Sequence, residues 1–401
     1  MKKSLSLFSF PFLLCSLIIS GTASAQDRIS LGKDGPNVSL KLEIQRAIDK
    51  GTRYLKSTQN KETGAWSDAT LPALTALPVS AILGDPSLKQ EDGLPPEVEK
   101  AFEYIVSNAK PDGGIYGKGL ATYNTSLSMM ALMQSGNPEH LPIIAKARRL
   151  LINQQQDHDK RGEVDNLYDG GIGYGGSYAH SDLSNTHLAL EALHYSKKVL
   201  ADTEFDESGE IELDWDAAIE FISASQNSEG TAKRLGDWAT VQEEDKGGFV
   251  YFPGSTKSDV VKVQTDGGEK TALRSYGSMG YAGLLAFIYA DMDRDDPRIA
   301  AVMKWLQANY TLEENPGLDA QGLYYYYHTM AKALIITGTK KLVDPDGKEI
   351  HWKNELALKI MATQQSDGSW INGESNRWME DDPALVTAYS LLSLERIFRA
   401  L

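Results

Sequence analysis

Four side chains of this 401-residue chain are candidates for proton transfer, namely Asp381, Asp382, His187 and His328. A carboxylic acid buried in an aromatic cavity keeps its proton to a higher pH, and the faces of tyrosine and tryptophan rings can stabilise a developing cation. In a second scheme, a histidine or tyrosine base acts together with Arg274 on an acidic sugar, as in an eliminating or hydrolysing enzyme. Both schemes predict a catalytic cavity, and the sequence leaves the choice between them open.

Eight residues are candidates for substrate binding, and most of them lie close to the start of an apolar segment. They are Tyr123, Asn124, Asp182, Asn185, Arg274, Tyr276, Tyr325 and Trp370. For several of them, a structural role is the alternative to substrate binding. Asp182, Asn185 and the acids before Pro383 are residue types that cap helices, and Trp370 could pack against a helix pair. For His187, one turn into an apolar segment, the alternative is a core histidine.

The elements that hold these residues follow from a sequence repeat. The first unit runs from Lys50 to Trp66 and contains Gln59, and the last runs from Ala357 to Trp370, where Gln365 aligns with Gln59. The residues that mark the end of each turn are Trp66, Tyr116, Ile172, Phe249, Leu318 and Trp370, which are 50, 56, 77, 69 and 52 residues apart. This spacing fits a helix–loop–helix unit with loops of variable length.

Each unit combines two kinds of apolar segment. The first is amphipathic, as in residues 98–105, where apolar residues recur at helical spacing. The second carries fewer charges, as in residues 387–394, which predicts apolar inner helices within a layer of amphipathic outer ones. Because the first and last units match the repeat best and neither resembles a polar cap, we expect a closed ring. The predicted fold class is all-α, an α/α toroid of about six helical hairpins.

The units resemble the QW repeat of squalene and oxidosqualene cyclases, in which a basic, a small, an aromatic and an aliphatic residue and a glutamine precede Gly-x-Trp. Residues 50–66 match this pattern at nearly every position. Residues 182–186 and 275–279 are similar to segments of secreted bacterial prenyltransferase/squalene-oxidase repeat proteins. The resemblance covers essentially the whole mature chain and implies an α/α toroid, but it does not by itself assign a reaction.

The catalytic motifs of these families are matched only in part. The resemblance aligns the substrate-protonating motif Asp-x-Asp-Asp-Thr-Ala with residues 379–384, where Met379 replaces the first aspartate and Pro383 replaces the threonine. Protein prenyltransferases hold zinc with Asp, Cys and His, whereas the mature chain predicted here has no cysteine. The sequence therefore predicts no metal and no cofactor.

The N-terminus is typical of a signal peptide, with Lys2, Lys3, an apolar run over residues 5–19 and small residues before a cleavage site after Ala25. This segment contains Cys15, the only cysteine.

Loss of the two lysines changes the net charge from −15 to −15 − 2 = −17, which disfavours nucleic acid as a partner. No later apolar run is long enough to span a bilayer. We expect a secreted or periplasmic protein, with residues 26–401 as a single domain and a long loop inserted at about 227–270.

Three functions remain open from the sequence. They are a cyclase-like enzyme acting on an isoprenoid or other apolar substrate in a central cavity, a non-catalytic toroid binding a glycan, lipid or protein, and a carbohydrate-active lyase or hydrolase. The cavity lining distinguishes them. An aromatic pocket with one buried acid favours the first, a shallow mouth filled by side chains favours binding, and an open groove with several acids and a basic residue favours sugar chemistry.

Overall fold

The computed structural model describes residues 37–89, 91, 93–176, 180–207 and 209–401. The predicted signal peptide, residues 1–25, lies outside the described residues. Within the described part of the chain no helix has the length and apolar character needed to cross a membrane.

Six helices form an outer layer and six an inner layer. The outer helices are α1 (Val38–Thr58), α3 (Pro96–Ser107), α5 (Leu141–Asn153), α7 (Trp215–Ala224), α10 (Pro297–Ala308) and α12 (Trp352–Ala362). The inner helices are α2 (Ala73–Gly84), α4 (Ala121–Gln134), α6 (Leu183–Leu200), α9 (Gly277–Tyr289), α11 (Leu323–Ile336) and α13 (Pro383–Ala400). Each inner helix packs on the next, and α13 packs on α2. The inner helices therefore close a ring, and the predicted all-α toroid is confirmed.

The two layers differ in how their helices are buried. In α3, Pro96 occupies the first position, acidic residues fill the first turn, and the buried side chains Val98, Ala101, Phe102 and Ile105 lie on one face. In α9, by contrast, twelve of the thirteen residues are buried. The amphipathic helices thus face solvent on one side, while α9 has protein on nearly all sides.

Glutamine side chains join neighbouring units around the ring. Each donates from its amide nitrogen to the carbonyl of its own turn glycine and to a backbone carbonyl of the next unit, which lies at or near the start of the outer helix in three cases and in the middle of α1 in the fourth. The four bridging residues are Gln59, Gln155, Gln226 and Gln364, whose acceptors in the next unit are Glu97, Asp214, Arg298 and Ala47. Because Ala47 belongs to α1, the same bridge joins the last unit to the first. The alignment of Gln365 with Gln59 is wrong by one residue, since the Gln365 side chain donates to the carbonyl of Thr363 within its own unit.

The turn glycines make the same junction. Gly64, Gly113, Gly170, Gly247 and Gly368 have positive φ, and an added Cβ would come within 2.5 Å of a carbonyl oxygen of the next outer helix. For Gly368 that oxygen belongs to Lys50 in α1. Glycine is required here both by the left-handed backbone and by the close approach of the two units.

The insertion at about 227–270, where the sequence predicts a long loop, carries regular structure. It contains α8 (Glu229–Leu235), β1 (Ala239–Thr240), β2 (Val260–Thr265) and the first half of β3 (Gly268–Leu273). β3 pairs in parallel with β1 and antiparallel with β2. The β-branched residues of β2 and the Asp266-Gly267 turn are typical of a hairpin. A second small hairpin pairs β4 (Leu342–Val343) with β5 (Glu349–Ile350).

Candidate functional site at the centre of the ring

One small cavity lies between the inner helices. Its lining comes from α2, α4, α6, α11 and α13 and consists of Leu77, Tyr123, Leu127, His187, Leu188, Tyr325, His328, Thr329, Lys332 and Tyr389. The cavity volume is about 20 Å³, which is room for about one water molecule. Four predicted site residues, Tyr123, His187, Tyr325 and His328, are thus brought together from three separate helices.

His187 and Tyr325 form a pair inside the cavity. The imidazole Nε2 lies 3.4 Å from the Tyr325 hydroxyl, and Nδ1 lies 3.3 Å from the carbonyl oxygen of Leu183. A carbonyl only accepts hydrogen bonds, so Nδ1 carries the proton and Nε2 accepts from Tyr325. Burial, and then the charge of Lys332, lowers the pKa of His187 to about 4. His187 is therefore a neutral base at neutral pH, joined to Tyr325 by a long hydrogen bond.

A buried ion pair lies at the same level of the ring. Lys332 Nζ donates to Glu191 Oε2 at 2.5 Å, and their side chains are only 10% and 5% exposed. Although burial raises the pKa of Glu191, the attraction of Lys332 lowers it overall. Neither residue was among the sequence candidates. The signal was present, because both are charged residues in otherwise apolar inner helices, where a charge is rarely buried without a partner.

His328 lies beside this pair. Its ring stacks at a tilt on Tyr389, with 5.2 Å between centroids, and its Nδ1 has no hydrogen-bond partner among the described residues. Burial, followed by the charges of Arg396 and Lys332, lowers its pKa well below the usual value. His328 is thus a second neutral imidazole, with one buried ring nitrogen that has no partner among the described residues.

Tyrosines and one buried acid lie at the starts of the inner helices. Asp182 caps α6 and accepts from the backbone and side-chain nitrogens of Asn185, both at 2.8 Å. Burial raises the pKa of Asp182 to about 6 in spite of these bonds. Tyr276, the residue before α9, is buried, and burial together with the charges of Tyr325 and Asp182 raises its pKa. Asp182, Asn185 and Tyr276 therefore lie around the end of the ring where the inner helices begin.

Two of the predicted acids lie at the start of α13. Asp382 accepts from the backbone nitrogens of Ala384 and Leu385 at 2.9 and 3.4 Å and so caps the helix. Asp381 is exposed. Neither lines the central cavity, and a catalytic role for them stays a prediction.

The remaining predicted residues contact backbone or the insertion. Asn124 accepts from the backbone nitrogen of Ala73 at 3.0 Å and so holds the start of α2. Trp370 is fully buried, and its indole donates to the carbonyl of Ile360 at 2.7 Å. Arg274 pairs with Glu244 at 2.8 Å and with Asp245 at 3.3 Å, both within the insertion. Their predicted roles in substrate binding are not tested by these contacts.

A further buried acid, Glu380, was not among the candidates. Its Oε1 accepts from the backbone nitrogen of Tyr325 at 2.8 Å, and its Oε2 accepts from the side chain of Asn372 at 2.7 Å. Burial raises its pKa to about 7. Because Tyr325 is in the first turn of α11, Glu380 positions the helix that supplies Tyr325 and His328 to the cavity. No group of three His, Cys, Asp or Glu side chains suited to a metal ion occurs in the part of the chain that is described.

The fold is similar to that of known helical toroids. The type II terpene cyclase MstE from Scytonema, in its apo form, matches with a TM-score of 0.53 and 13% identity over 90% of this chain and 99% of that one. The same cyclase in complex with geranylgeranyl dihydroxybenzoate matches with a TM-score of 0.52 and 12% identity over the same shares. A possible member of the GH105 family from Salmonella enterica matches with a TM-score of 0.50 and 12% identity over 90% of this chain and 94% of that one.

No protein-family model matches the sequence, and no curated protein matches it. The likeness is therefore one of fold. The chain forms an α/α toroid, and it shares this fold with the terpene cyclase MstE and the GH105 protein.

Proposed function

We propose that this protein is an exported, terpenoid cyclase-like toroid that binds an isoprenoid or another partly apolar molecule at the centre of its ring. The observation that carries the proposal is the composition of the cavity, in which three tyrosines and three leucines from five of the inner helices surround two neutral histidines. Aromatic and aliphatic walls with a few convergent polar groups are typical of ligand sites. Binding is favoured over turnover because side chains fill the centre.

The acidic residues around the cavity also favour binding over turnover, because each of them already has a structural partner. Asp182 bonds Asn185, Glu191 pairs with Lys332, Glu380 holds the start of α11, and Asp382 caps α13. A proton donor for a cyclase must reach the substrate, whereas each of these carboxyl groups already serves the fold.

Ligand entry requires side chains to move. The cavity volume of about 20 Å³ is far below the roughly 300–1,000 Å³ of sites for drug-sized ligands. Tyr123 and Tyr325 are the tyrosines of the lining that are only partly buried by residue surface, so they are the side chains that a ligand displaces.

The test is binding of geranylgeraniol, measured by isothermal titration calorimetry in detergent below its micelle concentration. Leu127→Trp fills the cavity, and Leu42→Trp, on the exposed face of α1, is the matched control. We expect Leu127→Trp to weaken binding at least tenfold and Leu42→Trp to leave it unchanged. Equal binding by both variants contradicts a central site.

Export is the second part of the proposal, and it rests on the N-terminal residues 1–25. We expect the protein recovered from the periplasm or medium to begin at Gln26. N-terminal sequencing checks this, and an intact N-terminus in that fraction contradicts cleavage.

Turnover is the second candidate function, and the His187–Tyr325 pair favours it. A tyrosine hydroxyl that donates to a neutral imidazole can remove a proton from a substrate, because its own proton moves to Nε2 of the imidazole as the new one arrives. If the protein turns over a substrate, Tyr325→Phe should lower kcat by roughly 10²–10⁴-fold, while ligand binding persists. Turnover that is unchanged in Tyr325→Phe removes the pair from the mechanism.

A further inference from the structure

Two cationic side chains lie at the end of the ring where the inner helices begin. Lys257, from the insertion, places its Nζ 4.1 Å above the ring of Tyr251. The backbone carbonyl of Tyr251 accepts from the nitrogen of Leu183, the first residue of α6, at 2.8 Å. The neighbouring Ser258 donates to the carbonyl of Gly317 at 2.6 Å. Lys257 is thereby held over the start of α6.

The second cation is Arg377, on the short turn before α13. Its guanidinium lies 4.4 Å from the ring centroid of Trp378. Trp378 is close to Gly322, where an added Cβ would lie 3.0 Å from the indole ring. Since Gly322 is the N-terminal cap of α11, Arg377 lies at the start of the helix that supplies Tyr325 to the cavity.

Neither cation is matched by a carboxylate. Among the described residues, no ion pair within 4.0 Å involves Lys257 or Arg377. The guanidinium of Arg377 donates instead to the side-chain oxygen of Gln321, which is a neutral acceptor. Ser258, next to Lys257, and Trp378, next to Arg377, both contact the loop that runs from Gly317 to Gly322. Consistent with this placement, burial and then the charge of Arg377 lower the pKa of Lys257, while the charge of Asp182 opposes that shift. Two half-buried cations without carboxylate partners, one of them beside an exposed indole ring, favour an anionic group from outside the chain.

An exposed aromatic ring lies beside the cations. Trp378 is 42% exposed, and both it and Met379 have positive φ, at 57° and 62°. Non-glycine residues in this region store backbone strain, which clusters at functional sites. The strained turn presents an indole ring next to a guanidinium. The indole can stack on the ring of a ligand, while the guanidinium pairs with an anionic group attached to that ring.

We propose that Lys257 and Arg377 form an anion subsite at the mouth of the toroid, which takes the carboxylate of a ring-bearing ligand while Trp378 stacks on the ring. The subsite deepens the proposed function and rests on it, because it names the polar end of the ligand whose remainder enters the cavity. A uronic acid and an aromatic acid with a prenyl chain share this chemistry.

The first test measures the carboxylate alone. Quenching of tryptophan fluorescence is recorded with benzoate and with its neutral counterpart benzyl alcohol, at millimolar concentration and constant ionic strength. We expect benzoate to bind at least tenfold more tightly. Trp378→Phe should abolish the signal, whereas Trp238→Phe, which removes another exposed tryptophan, should keep it.

Charge variants give the second test. The double variant Lys257→Gln, Arg377→Gln should reduce the preference for benzoate over benzyl alcohol to about onefold, with the affinity for benzyl alcohol unchanged. The control variant Lys233→Gln, on the exposed surface of α8, should keep the preference. No preference in the parent protein, or a preference that survives the double variant, overturns the subsite. If the subsite fails in this way but Leu127→Trp still abolishes geranylgeraniol binding, the proposed function stands. Failure of the subsite can therefore be distinguished from failure of the proposed function.

The two sources of the carboxylate are separated by competition. Galacturonate and a prenylated hydroxybenzoate are each titrated against bound benzoate. Displacement by galacturonate alone assigns a sugar acid, and displacement by the prenylated acid alone assigns an isoprenoid acid. Displacement by neither, at concentrations where benzoate saturates, contradicts the proposed ligand class.

Discussion

The substitution Lys332→Met leaves Glu191 buried without its partner, and the cost can be worked from the structure. Glu191 is 5% exposed on its side chain, so its charged form loses most of its hydration and it escapes by taking up a proton. For a carboxyl group with the ordinary pKa of 4.5, protonation at pH 7 costs about 1.36 × (7 − 4.5) ≈ 3.4 kcal/mol. At pH 5 the same step costs only about 0.7 kcal/mol. The first value agrees with the roughly 3–5 kcal/mol of other broken buried pairs.

The expected result therefore depends on pH. In Lys332→Met the pKa of Glu191 rises above its unfolded value, so the folded state holds the extra proton and stability falls as pH rises from about 4.5. Urea denaturation at pH 5 and pH 7 measures this, and the double variant Glu191→Gln, Lys332→Met should lose the pH dependence. Lys359→Met, which breaks the more exposed pair with Glu313, should cost less than about 1 kcal/mol. A loss under about 1 kcal/mol at pH 7, or a loss independent of pH, refutes the reasoning.

Three further predictions concern ring closure and one buried acid. Gly368→Ala should destabilise the fold by about 1–3 kcal/mol, because its φ is +97° and an added Cβ would meet a carbonyl of α1. Gly373→Ala, with open space around the glycine, should not destabilise it. Thermal unfolding of both variants checks this, and equal effects count against ring closure. Gln364→Leu should cost about 1–3 kcal/mol, since two backbone carbonyls lose their donor, and Gln365→Leu should cost much less in the same assay. Burial raises the pKa of Glu395 to about 8, so its charged form destabilises the fold as pH rises from about 4.5 to 8. Glu395→Gln should therefore be neutral at pH 4 and stabilising by a few kcal/mol at pH 9, and no pH-dependent difference in urea denaturation contradicts this burial.

The repeat made the fold predictable, because each unit carries its own turn chemistry. Gln59 and Gly64 act within a few residues of each other, so their spacing is visible in the sequence. The last unit was misaligned because Gln364 and Gln365 are adjacent, and only the contact with α1 shows which side chain points to the junction.

The candidate site was less predictable, because its partners are distant in sequence. Glu191 and Lys332 are 141 residues apart, and no local pattern shows that they face each other. His187 and Tyr325 were found as individual candidates, but their pairing depends on the order of the inner helices around the ring. The hairpin in the insertion was missed although Val260, Val261 and Val263 before Asp266-Gly267 carry its signal.

The central claim is that the inner helices enclose the ligand site, and a crystal structure with geranylgeraniol tests it most directly. The account predicts ligand density between α4, α6 and α11, with the Tyr123 and Tyr325 side chains rotated away from the axis of the ring. Density only on the outer surface, with both tyrosines in the positions found here, would contradict it.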